Sequence, residues 1–142
     1  MLAANTFAAS RPHSAQQQIQ PMLNEMLHLA NAHDTDRFMT FYLHRPSLIY
    51  VNNGTVIHGW DDLRAQQSKW WKNGMSDVIY RTNGATEFTV LAPGVVVVTE
   101  PRASTRTGPN GKSIRNEFVV SEVWKKLPEG WRIVYGHESA VR

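Results

Sequence analysis

The chain has no cysteine. Disulfide frameworks, thiolate nucleophiles and cysteine-based zinc sites are therefore excluded. It also lacks concentrated charge. Net charge is only +3, and the 15 Lys and Arg residues cluster no more densely than pairs such as Lys125 with Lys126. Nucleic-acid binders gather their cations along one face, so no nucleic-acid partner is expected. No window approaches the roughly 18 consecutive apolar residues that span a bilayer, so no membrane partner is expected either. A glycine-rich phosphate loop and the setting of a serine or cysteine triad are both missing, and no cofactor is expected. Among the histidines, His28 and His33 are five apart and miss helical i, i+4 pairing, while His44 and His58 fall near loop or strand ends. No metal site is expected from that spacing. The first 20 residues lack the basic start and long apolar run of a signal peptide. A cytoplasmic location is the default expectation, although a mature form that had lost its signal would read the same.

What is present fits one domain. The chain has 142 residues, 42% apolar and 19% charged, enough for a sizeable core. Residues 1–16 are rich in Ala, Ser and Gln with Pro12 and read as a flexible lead-in. Residues 17–142 read as a single domain. Ile19, Met22, Leu23, Met26, Leu27 and Ala30 form an amphipathic helical stripe. Pro21 suits a first turn, so the helix is expected to begin near it. A second helix is expected from Asp34 through Phe38, Phe41 and Tyr42, ending before Pro46. Residues 47–51 and 55–58 read as strands joined by the turn Asn52-Asn53-Gly54. A third helix follows Gly59, with Asp61 and Asp62 in its first turn and Asn73-Gly74 closing it.

Beyond Gly74 the pattern is a meander. Residues 77–82, 86–91, 95–104, 112–126 and 131–141 read as strands separated by Gly- and Pro-containing turns. Helices first and strands second argue for an α+β fold, with N-terminal helices packed on an antiparallel sheet. Residues 95–98 and parts of 118–124 are apolar on both faces, so both faces need cover. A second copy of the chain is the simplest second cover, which makes a homodimer the expected assembly.

Arg115, then Val123-Trp124-Lys125-Lys126, Gly130-Trp131-Arg132-Ile133-Val134, and His137, Ser139 and Ala140 resemble the C-terminal half of SnoaL-like proteins of the nuclear-transport-factor-2-like superfamily. The ending is also similar to the association domain of calcium/calmodulin-dependent kinase II. The order of the front half agrees, and the resemblance covers roughly residues 17–142. It implies a cone-shaped, strongly curved sheet with helices in its concave face and a hydrophobic pocket for a small-molecule ligand. Met26, Phe38, Tyr42, Tyr50, Trp70, Arg115, Glu117, Tyr135 and His137 are the candidate pocket residues.

His137 and Glu117 are the candidate catalytic groups. An imidazole titrating near neutrality can act as acid or base, though a structural histidine reads equally well. Arg115 and Glu117 share one strand face and suit either a polar ligand or a surface ion pair. Whether His137 joins their face depends on the last hairpin. If Lys126 opposes Trp131, then Val120 opposes His137, and His137 joins the face of Phe118 and Trp124. A one-residue slip puts it with Arg115 and Glu117. An isomerase of the ketosteroid type needs a carboxylate base together with a tyrosine and a protonated carboxyl. Family placement puts the base about where Asn52 stands, and the first helix has no tyrosine. Glu100 and Glu117 are the acids read as lying well inside strands and able to replace the base. The functional expectation is a small-molecule-binding protein, with isomerase, cyclase or dehydratase chemistry on a small hydrophobic substrate. A non-catalytic ligand-sensing or assembly domain is the alternative, and whether the chain is an enzyme stays open.

Overall fold

The computed structural model describes residues 14–142, and the lead-in expected over residues 1–16 falls almost wholly outside them. Helix α1 spans Ala15–Asn31 and starts earlier than Pro21 suggests. A reciprocal cap sets its start: Ser14 Oγ accepts from the Gln17 N–H at 3.2 Å, and the Gln17 side chain accepts from the Ser14 N–H at 2.8 Å. Pro21 is tolerated inside the helix on an exposed position, while Ile19, Leu23, Met26, Leu29 and Ala30 form the buried stripe. Helix α2, Thr35–Met39, is capped by Asp34 and is shorter than the sequence suggests. The chain leaves it after Thr40 because Phe41 and Leu43 exchange backbone hydrogen bonds with Ile133, both at 2.9 Å. Those bonds turn Tyr42 into a bridge residue rather than a helical one. Helix α3 is Trp60–Trp70.

Seven strands form one curved sheet: β1 (Ile49–Asn52), β2 (Thr55–His58), β3 (Ile79–Thr82), β4 (Glu87–Ala92), β5 (Val95–Thr107), β6 (Ser113–Leu127) and β7 (Gly130–Ala140). The sheet order is β2-β1-β7-β6-β5-β3, with β4 pairing β5 beside β3. The architecture is α+β, with a strongly curved, unclosed sheet holding the helices in its concave face. Its pairings are antiparallel except β1 with β7, which run parallel. The sheet is thus antiparallel as the meander suggests, with the β1–β7 pair as its one parallel step. The first hairpin precedes two helical segments and cannot join the meander by a tight turn, so it enters beside the last strand by a crossover.

The concave face carries the core. Val96 and Val98 of β5, Trp124 of β6 and Ile133 of β7 are fully buried against Ile19, Leu23, Met39 and Leu63. The opposite face of the same strands carries Val97, Val119, Val123 and the exposed Tyr135, so β5 and β6 are apolar on both sides.

The last hairpin combines features of both expected registers. Lys126 does oppose Trp131, and Trp124 opposes Ile133. Val123 then opposes Tyr135, so Val134 is an extra residue. This bulge shifts the rest of β7 by one residue and reverses which face each later side chain takes. His137 consequently lies opposite Ser121 on the convex face, and Glu138 points to the concave one.

Trp124 has no exposed surface and anchors the centre of the concave core. Trp124→Ala is expected to lower stability by about 3–5 kcal/mol in chemical denaturation. An unchanged denaturation midpoint would remove Trp124 from the core.

Candidate functional site

The middle of the concave face is polar where an apolar core would be cheaper. Val120 of β6 is flanked directly by Glu100 of β5 and Glu138 of β7, and Glu122 is the next residue of β6 on that face. Three carboxyls thus surround one valine on three adjacent strands. Arg102, beside Phe118 in the register, is the cation of this group. Around them stand Met26 of α1, Phe38 of α2, Tyr42 after it, Tyr50 of β1 and Trp71 after α3. Together with Glu100, Arg102 and Glu122 they line a cavity of about 100 Å³. A wider hollow of about 490 Å³ lies beside it, lined by Asn52, Trp70, Ser104, Arg106, Glu117 and Glu138 among others. Tyr80 and Phe118 belong to both spaces, and their rings meet edge to face with centroids 6.3 Å apart.

Burial dominates the electrostatics. Glu122 is 3% exposed, and no cation among the described residues pairs with it. Loss of hydration and then the charge of Glu100 push its carboxyl up to about 8. Arg102 and the Trp124 indole oppose that rise, although Trp124 Nε1 closes no hydrogen bond of ordinary geometry. At neutral pH Glu122 is therefore mostly a neutral acid and a hydrogen-bond donor. Glu100 is also raised by burial, but its ion pair with Arg102 holds it down. That pair uses Arg102 Nη2, and the buried Nη1 of Arg102 has no hydrogen-bond partner among the described residues. Glu138 is raised by burial and opposed by hydrogen bonds from Tyr50 and Asn52. The Tyr50 hydroxyl donates to it at 3.0 Å. Burial, followed by the neighbouring carboxylates, raises the phenols of Tyr42 and Tyr50 well above their usual range, so both stay protonated.

Local sequence makes this arrangement possible at one position above all. Gly136 faces Tyr50 across the β1–β7 pairing. A Cβ there would stand 2.6 Å from the Tyr50 ring. Glycine lets the ring lie against the strand and reach Glu138 two residues on.

Of the sequence candidates, Met26, Phe38, Tyr42 and Tyr50 meet in the inner cavity. Trp70 and Glu117 line the outer hollow instead. The expectation that Arg115, Glu117, Tyr135 and His137 converge in the inner pocket is corrected by the register. Odd-numbered residues of β6 face outward, and the bulge at Val134 turns Tyr135 and His137 the same way. Arg115 bonds Asn83 and pairs with Glu117 at 3.1 Å, both half exposed. The pocket arginine is Arg102. Sequence reading included Glu100 as an acid inside a strand but passed over Glu122, Glu138 and Arg102. Alternation held the available signal, since Glu122 and Trp124 are two apart and so share a face. Glu138 could not be placed without the bulge.

A family model described as SnoaL-like domain matches residues 19–142. No curated protein matches the chain at a significant level. Among solved structures, an NTF-2 like protein of unknown function from Shewanella oneidensis MR-1 is similar at 20% identity and a TM-score of 0.75. The match covers 89% of this chain and 99% of that one. A protein described as a candidate dehydratase of the NTF2-like family from Streptomyces avermitilis is similar at 16% identity and a TM-score of 0.74, over 87% and 94% of the two chains. The association domain of C. elegans CaMKII is similar at 17% identity and a TM-score of 0.70, again over 87% and 94%.

The raised carboxyl of Glu122 has a thermodynamic consequence. Between its ordinary value of 4.5 and about 8 the folded chain holds a proton that the unfolded chain has released. Its contribution to stability therefore falls as pH rises through that window. Glu122→Gln is expected to gain roughly 3–5 kcal/mol of stability relative to wild type on going from pH 4.5 to pH 8.5. A difference independent of pH, measured by denaturant titration, would mean that Glu122 ionises normally.

Proposed function

We propose, from the premise that the chain belongs to the SnoaL-like domain family, that its inner cavity binds a small hydrophobic molecule and moves a proton within it. The observation that carries this reading is the cluster of Glu100, Glu122 and Glu138 around Val120, where Glu100 with its paired Arg102 and Glu122 line the aromatic inner cavity and Glu138 lines the outer hollow beside it. A structural role would be served more cheaply by apolar residues, because buried carboxyls cost free energy. Proton transfer, by contrast, needs an acid and a base whose environments differ.

The roles follow from those environments. Glu122, neutral and flanked by Tyr42, is the acid or hydrogen-bond donor. Glu138 is the base: two donors stabilise its charged form, and it borders the outer hollow through which a substrate would enter. Asn52 occupies the expected base position but pairs in register with Glu138. The carboxylate has in effect moved to the adjoining strand. The tyrosine that α1 lacks is supplied by Tyr42 and Tyr50. Isomerase, cyclase and dehydratase reactions all fit this acid–base pair.

The working unit is a homodimer formed through the convex face, where Val97, Val119, Val123 and Tyr135 otherwise meet water. A ligand-sensing role without turnover is the second reading. Its support is the small size of the inner cavity, about 100 Å³, which leaves little room for a substrate to rearrange.

Native mass spectrometry of gently purified protein is expected to give a dimer carrying a discrete extra mass. The molecule extracted from it is expected to be converted by wild type and by His137→Ala at similar rates, and about a hundredfold more slowly by Glu138→Gln. An unchanged ligand points to sensing. Equal turnover by Glu138→Gln contradicts the assigned base, and a monomer contradicts the covered convex face.

A further inference from the structure

The inner cavity and the outer hollow have two lining residues in common, Tyr80 of β3 and Phe118 of β6, and the edge-to-face meeting of their rings is the partition between the two spaces. At about 100 Å³ the inner cavity is smaller than the cavity of about 150 Å³ that takes up benzene in an engineered protein core. A ligand with one or more rings therefore reaches Glu122 only if the partition opens and the two spaces act as one.

The two rings are held very differently. Tyr80 is clamped. Asn31, the last residue of α1, bonds both sides of its backbone: Asn31 Oδ1 accepts from the Tyr80 N–H at 2.7 Å, and Asn31 Nδ2 donates to the Tyr80 carbonyl at 3.1 Å. Trp71 Nε1 donates to the Tyr80 hydroxyl at 3.0 Å, and Tyr80 packs against the buried cluster of Ala30, Trp71 and Val78. Phe118 has no comparable support. It belongs to neither buried hydrophobic cluster among the described residues, and Tyr80 is the one ring among them that it meets. Its register neighbours are Arg102 on β5 and Ala140 on β7. Ala140 is exposed on the wall of the outer hollow, so a methyl group leaves the Phe118 ring room on that side. A change of χ1 between staggered wells moves the ring without disturbing the strand.

We propose that Phe118 is the gate that sets which molecules the site admits: its ring swings toward Ala140, away from a fixed Tyr80, and lets in an apolar ring body too large for the inner cavity alone. This rests on the reading above that the cavity is a ligand site. The gate weakens the apparent affinity for every such ligand according to the fraction of time it stands open.

The test uses 2-naphthol, a neutral two-ring probe, with dissociation constants from ligand-detected NMR titrations of the full chain at pH 6.5. Phe118→Ala removes the ring and is expected to bind the probe about tenfold more tightly than wild type. Ala140→Leu fills the space the ring needs, at an exposed position that leaves folding intact, and is expected to bind it about tenfold more weakly. The double variant Phe118→Ala/Ala140→Leu separates gating from direct contact. With no ring left to swing, the leucine obstructs nothing, and the double variant is expected to bind like Phe118→Ala. An equal loss from Ala140→Leu in both backgrounds overturns the gate and leaves the ligand site standing, because the leucine then meets the probe directly. Unchanged affinity in Ala140→Leu, or weaker binding by Phe118→Ala, overturns it in the same way. If neither wild type nor any variant binds the probe, the gate and the ligand-site reading fall together.

Discussion

Three carboxyls and one guanidinium share the concave face of a curved sheet, and the rest of the structure is arranged around that imbalance. Burying a carboxylate without a paired cation is costly enough that the group takes up a proton instead. Glu122 is the residue that yields. Glu100 has Arg102 and Glu138 has Tyr50 and Asn52, whereas Glu122 has only neighbours that raise its carboxyl further or offset the rise in part. Three chemically similar side chains thereby acquire three different characters: ion-paired, hydrogen-bonded and neutral.

The surrounding fold holds those differences in place. Trp124 sits next to Glu122 on the same strand face and carries the apolar packing that fixes the strand. The glycine at Gly136 permits the Tyr50 ring to lie flat, which directs its hydroxyl to Glu138. The bulge at Val134 then decides that Glu138 rather than His137 points inward. One inserted residue on the last strand thus selects a carboxylate over an imidazole for the interior.

Much of this was legible in the sequence, for identifiable reasons. Helical stripes, the Asn52-Asn53-Gly54 turn and the Gly- and Pro-bounded strands are local signals, and they place the elements within a few residues. Tyr42, Tyr50, Phe38 and Met26 were placed in the pocket through family resemblance, and they line it. The polar half of the site was not legible. Pairing between β1 and β7 joins residues far apart in the chain, so nothing local sets Asn52 beside Glu138. A bulge leaves no local signature in a run such as Ile133-Val134-Tyr135, yet it reverses the faces of everything after it. His137 was prominent because an imidazole in an apolar run stands out. Glu122 was inconspicuous because a glutamate next to a serine reads as solvated. The difference lies in the tertiary register, where Glu122 faces the helices and His137 faces outward.

The character of the site depends on the protonation of Glu122, whose carboxyl can be titrated directly. Carbon-13 NMR of protein labelled at the glutamate side-chain carboxyl, with Glu122→Gln to assign the resonance, reads that one group. A midpoint near 8 is expected, with the signal still in its protonated position at pH 6.5. A midpoint near the ordinary value of 4.5 would mean that the carboxyl is charged and solvated, and the neutral donor at the centre of the site would not exist.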